Sequence, residues 1–209
     1  MSESFTGEDR KAIETKTENR VITKRLTEFS QIETLYRERL KNDFARNERK
    51  PLSSMRRSWK NNAYDCYGLF DGGEILGYAF FVRRGRNYLF DYFAIDKERR
   101  DEGLGSIFLR QLTDCVQNAD CIVGEVEDPD KAEDGKTRAL RERRLQFYLR
   151  AGYRKTELTS CVFGADYRIL EVPTGMHHTT GELCRIYSEL YRSILPPLFF
   201  RTQFHVDGM

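Results

Sequence analysis

A mixed α/β domain, α+β in that its one sheet is mixed, is predicted for this chain of 209 residues, on three observations. Runs at helical spacing interleave with β-rich runs, in the order strand, two helices, three strands, helix, strand, helix, strands. Asp71-Gly72-Gly73 separates two of the β-rich runs, a hairpin signal that makes that pair antiparallel. The length allows one sizeable core with room for an extra element.

Each element has its own reason. The first 19 residues are polar, with few large apolar side chains, and predict an amino-terminal tail. RVITKRL reads as a first strand, and it opens a domain over 20–173. Behind Thr27 and Glu28, the residues Phe29, Ile32, Leu35, Tyr36, Leu40 and Phe44 recur at helical spacing. LSSMRRSWKN follows Pro51 as a short second helix. YDCYGLF, EILGYAFFVRR and NYLFDYFAID are three strands. SIFLRQLTDCV places Ile107, Leu109, Leu112 and Val116 as a helix face, and CIVGEVE is again a strand. DPDKAEDGK reads as a loop before RALRERRLQFYLRAGY, a helix that stops at Gly152. SCVFG and DYRILEVP add strand, closed by Pro173, and GELCRIYSELYRSIL makes 174–209 a carboxy-terminal helical extension.

Composition excludes several classes. Charged residues make up 33% of the chain, yet 35 Lys and Arg against 33 Asp and Glu leave a net charge of +2, so nothing demands nucleic acid or an anionic membrane. No apolar run approaches membrane-spanning length and no signal-peptide pattern opens the chain, so a soluble cytoplasmic protein is expected. The five cysteines are scattered without a Cys-x-x-Cys pair, which fits reduced thiols and no metal site. His177, His178 and His205 lack an obvious Asp/Glu cluster and read as surface residues.

The informative stretch is DKERRDEGLGSIFL, residues 96–109, where a charged loop runs into a helix through Gly103 and Gly105. A helix start has unpaired N–H groups and partial positive charge, and glycine allows close approach, so the pattern points to an anion, most naturally a phosphate. It is not the P-loop run Gly-x-x-x-x-Gly-Lys-Ser/Thr, and Phe108 stands where a dinucleotide fingerprint needs its third glycine.

Arg100-Asp-Glu-Gly103-Leu-Gly105 resembles the Arg/Gln-x-x-Gly-x-Gly/Ala signature of the GNAT superfamily of N-acetyltransferases. The strand end FAID before it, and Phe147-Tyr148-Leu-Arg-Ala-Gly152-Tyr153 about 40 residues after it, resemble the flanking motifs of that family. The resemblance covers about 88–155, and the element order extends it to about 20–173. It implies a central, mostly antiparallel sheet with helices on both faces, and transfer of an acetyl group from acetyl-CoA to an amine in a ternary complex. It implies that the CoA diphosphate lies on the loop Arg100, Asp101, Glu102, Gly103, Leu104, Gly105 and Ser106, with Arg99 and Arg100 as further cations. The pantetheine arm would pair with the backbone of Phe93, Ala94 and Ile95. One departure stands out: Arg141 and Arg144 occupy positions where many relatives carry asparagine and alanine, and they are expected on a solvated face.

The chemistry sets requirements. An alkyl amine of pKa near 10.4 costs roughly 4.6 kcal/mol to present uncharged at pH 7, whereas protonating a departing thiolate matters by about 2 kcal/mol. By the resemblance, Tyr148 is the acid. Glu125 and Glu127 alternate with Val126 and share one strand face, so Glu127 is the first candidate base, with Glu125 and Asp91 behind it. Phe80, Phe81, Tyr92 and Phe93 would line a deeper pocket if the acyl chain were longer. Tyr187, Tyr191, Phe199 and Phe200 are expected to pack the last helix onto the domain, or onto a second copy in a homodimer. The rival reading is non-catalytic: a CoA-binding sensor or an RNA- or protein-binding module of the same fold. Basic residues alternating with acidic ones in RERLKNDFARNERK speak against RNA.

Overall fold

The computed structural model describes Glu18, residues 20–46 and residues 48–208. The tail expected over 1–19 therefore lies, Glu18 apart, outside the described residues. Eight strands form one sheet in the order β1-β2-β3-β4-β5-β7-β6-β8. They are β1 (Val21–Arg25), β2 (Tyr64–Asp71), β3 (Glu74–Arg84), β4 (Asn87–Ile95), β5 (Cys121–Glu127), β6 (Arg154–Val162), β7 (Ala165–Val172) and β8 (Phe204–Asp207). Every neighbouring pair is antiparallel except β4 and β5. That parallel pair needs a crossover, which α3 (Leu104–Cys115) supplies.

Helices cover both faces. On one face lie α1 (Phe29–Leu35), which continues through a π-helical turn (Tyr36–Leu40) into Lys41–Asp43, then α2 (Leu52–Lys60) and α5 (Thr180–Ile194). Ile32, Leu40, Met55, Leu183, Tyr187 and Leu190 pack there on Tyr78, Phe80, Val82 and Val123. The other face is covered by α3 and α4 (Gly135–Arg150), with Ile107, Phe108, Leu112 and Leu145 against Leu76, Phe81, Ile122 and Val126. Residues of β5 thus alternate between two cores, as a period of two requires.

Local chemistry sets the ends. The capping box at Glu28 and Gln31 starts α1, and Asp134 accepts from the amides of Lys136 (2.8 Å) and Thr137 (2.9 Å) to start α4. The segment after residue 173 adds to its helices, α5 and α6 (Pro197–Gln203), a strand that pairs with β6. Because α5 buries Leu183, Ile186, Tyr187, Leu190 and Tyr191, it is part of the core of the same domain.

The sheet has two irregularities around the middle of β4. Between β3 and β4, Phe80 pairs with Tyr92 and Phe81 with Phe90, which leaves Asp91 unpaired in a bulge. Pairing of β4 with β5 runs from Asn87–Cys121 to Phe90–Gly124 and stops. Beyond it β4 continues with β3 to Ile95, and β5 continues with β7 to Glu127, but no longer with one another. The sheet is open there, and one backbone edge of β4 has no strand partner.

Candidate active site

A cavity of about 930 Å³ occupies this opening. It draws side chains from both faces because the gap interrupts the sheet. Asp91, Phe93, Ala94 and Ile95 of β4 line it, as do Arg100, Asp101, Gly103, Leu104, Gly105 and Ser106, Glu125 and Glu127 of β5, and Tyr148 of α4. Of the residues singled out from sequence, Glu102 is not part of the lining; its carboxylate turns to Arg99 at 2.9 Å.

At one end sits the start of α3. Gly103, its N-cap, has φ +77°, and Asp101 two residues earlier has φ +65°. Both are left-handed, which glycine adopts freely and Asp tolerates. Ser106 N–H returns to the Gly103 carbonyl at 3.0 Å, whereas among the described residues no acceptor takes the N–H groups of 102–105. Gly105 has a different reason to be glycine: a Cβ there would stand 3.2 Å from the Phe147 ring, so it lets α3 and α4 close together. The arginines are mostly engaged. Arg99 holds Glu102, Arg100 Nε donates to the Ile95 carbonyl at 3.3 Å, and Arg143 pairs with Asp101 at 2.7 Å.

Tyr148 enters from the α4 side, its ring among Phe90, Phe93 and Tyr153. Burial pushes its hydroxyl up to about 12, with Arg144 pulling the other way, so the group is protonated at neutral pH. Among the described residues the hydroxyl has no hydrogen-bond partner.

The three carboxylates differ in what already holds them. Asp91 accepts from Lys50 Nζ and from the Tyr64 hydroxyl. Glu127 is clamped by Arg141 at 3.2 Å through one oxygen and by Arg144 through the other. Those arginines were expected on a solvated face; Arg144 is exposed as expected while Arg141 is largely covered, and both pair with Glu127 because α4 lies over the end of β5. Glu125 has no cation. The hydroxyls of Tyr187 and Tyr191 (2.7 Å) both donate to its Oε1, and Oε2 takes no hydrogen bond among the described residues. Burial raises the Glu125 pKa above the ordinary carboxylate value, partly offset by the two tyrosine bonds. Sequence reasoning missed this tyrosine pair, which lies more than 60 residues from Glu125 along the chain. It expected Phe80 and Phe81 in a deep pocket, but both are fully buried core residues outside the cavity.

Away from the cavity, His178 is not a free surface residue. Its Nδ1 lies 2.7 Å from Glu171, with Cys121 close enough that one ligand atom from each falls within 4.8 Å. Arg154 bonds the other Glu171 oxygen, and that guanidinium opposes a cation at the same carboxylate. The trio ties the loop after β7 to the sheet. No helix among the described residues is long and apolar enough to cross a membrane.

The family model described as "Acetyltransferase (GNAT) family" matches residues 30–153. No curated protein matches the chain. Among solved structures, a chain assigned to the GNAT acetyltransferases from Bacteroides thetaiotaomicron superposes with a TM-score of 0.63 at 18% identity, covering 83% of this chain and 97% of that one. The ribosomal-protein-S18-alanine N-acetyltransferase of Escherichia coli gives 0.55 at 15%, over 77% and 97%. A GNAT-family acetyltransferase of Elizabethkingia anophelis with acetyl-CoA bound gives 0.54 at 14%, over 74% and 98%. Likeness at such identities is likeness of fold.

Proposed function

We propose that this chain, which belongs to the acetyltransferase (GNAT) family, transfers the acetyl group of acetyl-CoA directly to the nitrogen of a primary amine. The observation that carries this reading is the opening between β4 and β5. Free amides stand at one end of it, an unpaired strand edge runs along it, and Tyr148 and Glu125 reach it from opposite faces.

The residues present fit the co-substrate. The free amides of 103–105 and the start of α3 suit a diphosphate, each such contact being worth about 0.3–1 kcal/mol or more when partly buried. The cavity lining carries eight Arg or Lys against six Asp or Glu, a balance that favours a polyanionic ligand. The free edge at Phe93, Ala94 and Ile95 suits an extended amide-bearing arm, added as a strand is added to a sheet. Acetyl-CoA, when bound, supplies an activated acetyl thioester.

The chain's own groups then handle two protons. Glu125 accepts the proton that the ammonium must lose before nitrogen can attack. Glu127 and Asp91 are worse placed for that task, since Arg141, Arg144 and Lys50 already occupy them. A carboxylate raised by burial is a stronger base than an exposed one, which brings it closer to its amine partner. Tyr148, still protonated at neutral pH, gives its proton to the departing sulfur.

The test is thermal. Acetyl-CoA raises the melting temperature of the parent protein, and Gly105→Glu, which drives a side chain against the Phe147 ring where α3 and α4 meet, removes that rise. A parent protein whose melting is indifferent to acetyl-CoA contradicts the reading.

A further inference from the structure

The cavity is also lined by residues beyond the family match. Ile194, Leu195 and Pro196 from the end of α5, Phe199 of α6, and Val162 with Phe163 from the β6–β7 turn form an apolar wall. Phe163 and Phe199 are 39% and 47% exposed, with ring centroids 6.2 Å apart, so two large apolar rings stand open at the rim. Phe163 holds φ +49°, a conformation costly for a large side chain, and its N–H is fixed to the Gln203 carbonyl at 2.9 Å. The turn and α6 therefore position these rings together.

Charge around Glu125 is lopsided. Asp91 and Glu127 are paired with Lys50, Arg141 and Arg144, whereas Glu48 accepts from the Ala45 amide at 2.8 Å and pairs with no cation among the described residues. Glu48 and Glu125 are the two carboxylates left without a cation, and Glu125 is the one held by the tyrosine pair with its Oε2 open. Arg49 and Arg57 also line the cavity. Neither forms an ion pair among the described residues, so a second positive charge on the acceptor would meet two unpaired cations against Glu48 alone.

We propose that the acceptor is a monoamine: one primary ammonium at Glu125, on an aliphatic or aromatic body that lies against Phe163 and Phe199, with polycations disfavoured by Arg49 and Arg57 of the same lining. This rests on the acetyl transfer proposed above and narrows its acceptor. Attraction at Glu125 and repulsion by the unpaired arginines together set the preference, since a site discriminates by what it disfavours as well as by what it binds.

The experiment compares hexylamine with 1,6-diaminohexane, which differ by one ammonium on the same six-carbon chain. CoA release from acetyl-CoA is followed chromatographically with the full chain. The expected result is a kcat/KM for hexylamine at least about tenfold above that for the diamine. Phe199→Ala should lower the hexylamine value by about tenfold, chiefly through KM, because an apolar contact of that size is lost. Unchanged acetyl-CoA affinity in the variant shows that it has folded. A diamine used as well as the monoamine, or a Phe199→Ala variant with unchanged hexylamine kinetics, overturns the proposal and leaves the acetyl transfer standing. Failure of the parent protein to bind acetyl-CoA and to acetylate either amine removes the underlying function instead.

Discussion

Tyr187 and Tyr191 give the clearest view of how a single residue can be tuned here. Their hydroxyls donate to Glu125 Oε1 and so favour its ionised form, while burial favours the neutral one, and burial wins. A base acts only when deprotonated, so kcat/KM should rise with pH through the raised Glu125 pKa. Tyr191→Phe removes a bond to the charged form. That bond is worth about 1.5–3 kcal/mol, and the loss shifts the rising limb upward by about one to two pH units. Glu125→Gln abolishes the limb and lowers kcat by about 10²–10⁴, with acetyl-CoA affinity kept. A pH–rate profile of the three proteins checks both; an unmoved limb in Tyr191→Phe assigns the base elsewhere. Tyr148 and the glycine pair were legible in the sequence because they sit in short local motifs. The Tyr187–Tyr191–Glu125 bonding was not, since helical spacing announces only that Tyr187 and Tyr191 share a face with Leu183 and Leu190, not what they meet.

At the level of elements, strong periodicity was readable and weak periodicity was not. The Asp71-Gly72-Gly73 hairpin, the three long strands and α3 lie where their patterns put them. β8 was missed because four residues, Phe204–Asp207, carry too little alternation to declare a strand; pairing with Thr159–Val162 creates it. The first half of β6 was missed for a related reason. Arg154–Thr159 is charged and polar, and its register with β7 breaks between Lys155 and Thr159. α5 read as amphipathic, yet its role as a full core element came only from contact with the sheet. Leu190, fully buried on that helix, offers the measure. Leu190→Ala should destabilise the fold by about 2–5 kcal/mol in urea unfolding, as a core leucine does. A loss under about 1 kcal/mol, the scale of a surface change, would show α5 to be a loosely docked appendage.

For the whole molecule, the decisive event is that two strands part. As long as β4 and β5 pair, side chains of the two faces are kept apart by the sheet between them. Once pairing ends at Phe90–Gly124, groups from the α4 face and the α5 face reach a common space. Sequence motifs marked both sides of that gap without revealing it, because an unpaired edge belongs to two strands separated in the chain by α3 and leaves no local pattern. A structure of the chain with CoA bound tests this most directly. It should show the diphosphate within about 2.7–3.2 Å of the amides of 103–105, with the sulfur in the gap between Tyr148 and Glu125. A diphosphate held anywhere else, or a gap closed by continued pairing of β4 with β5, would contradict it.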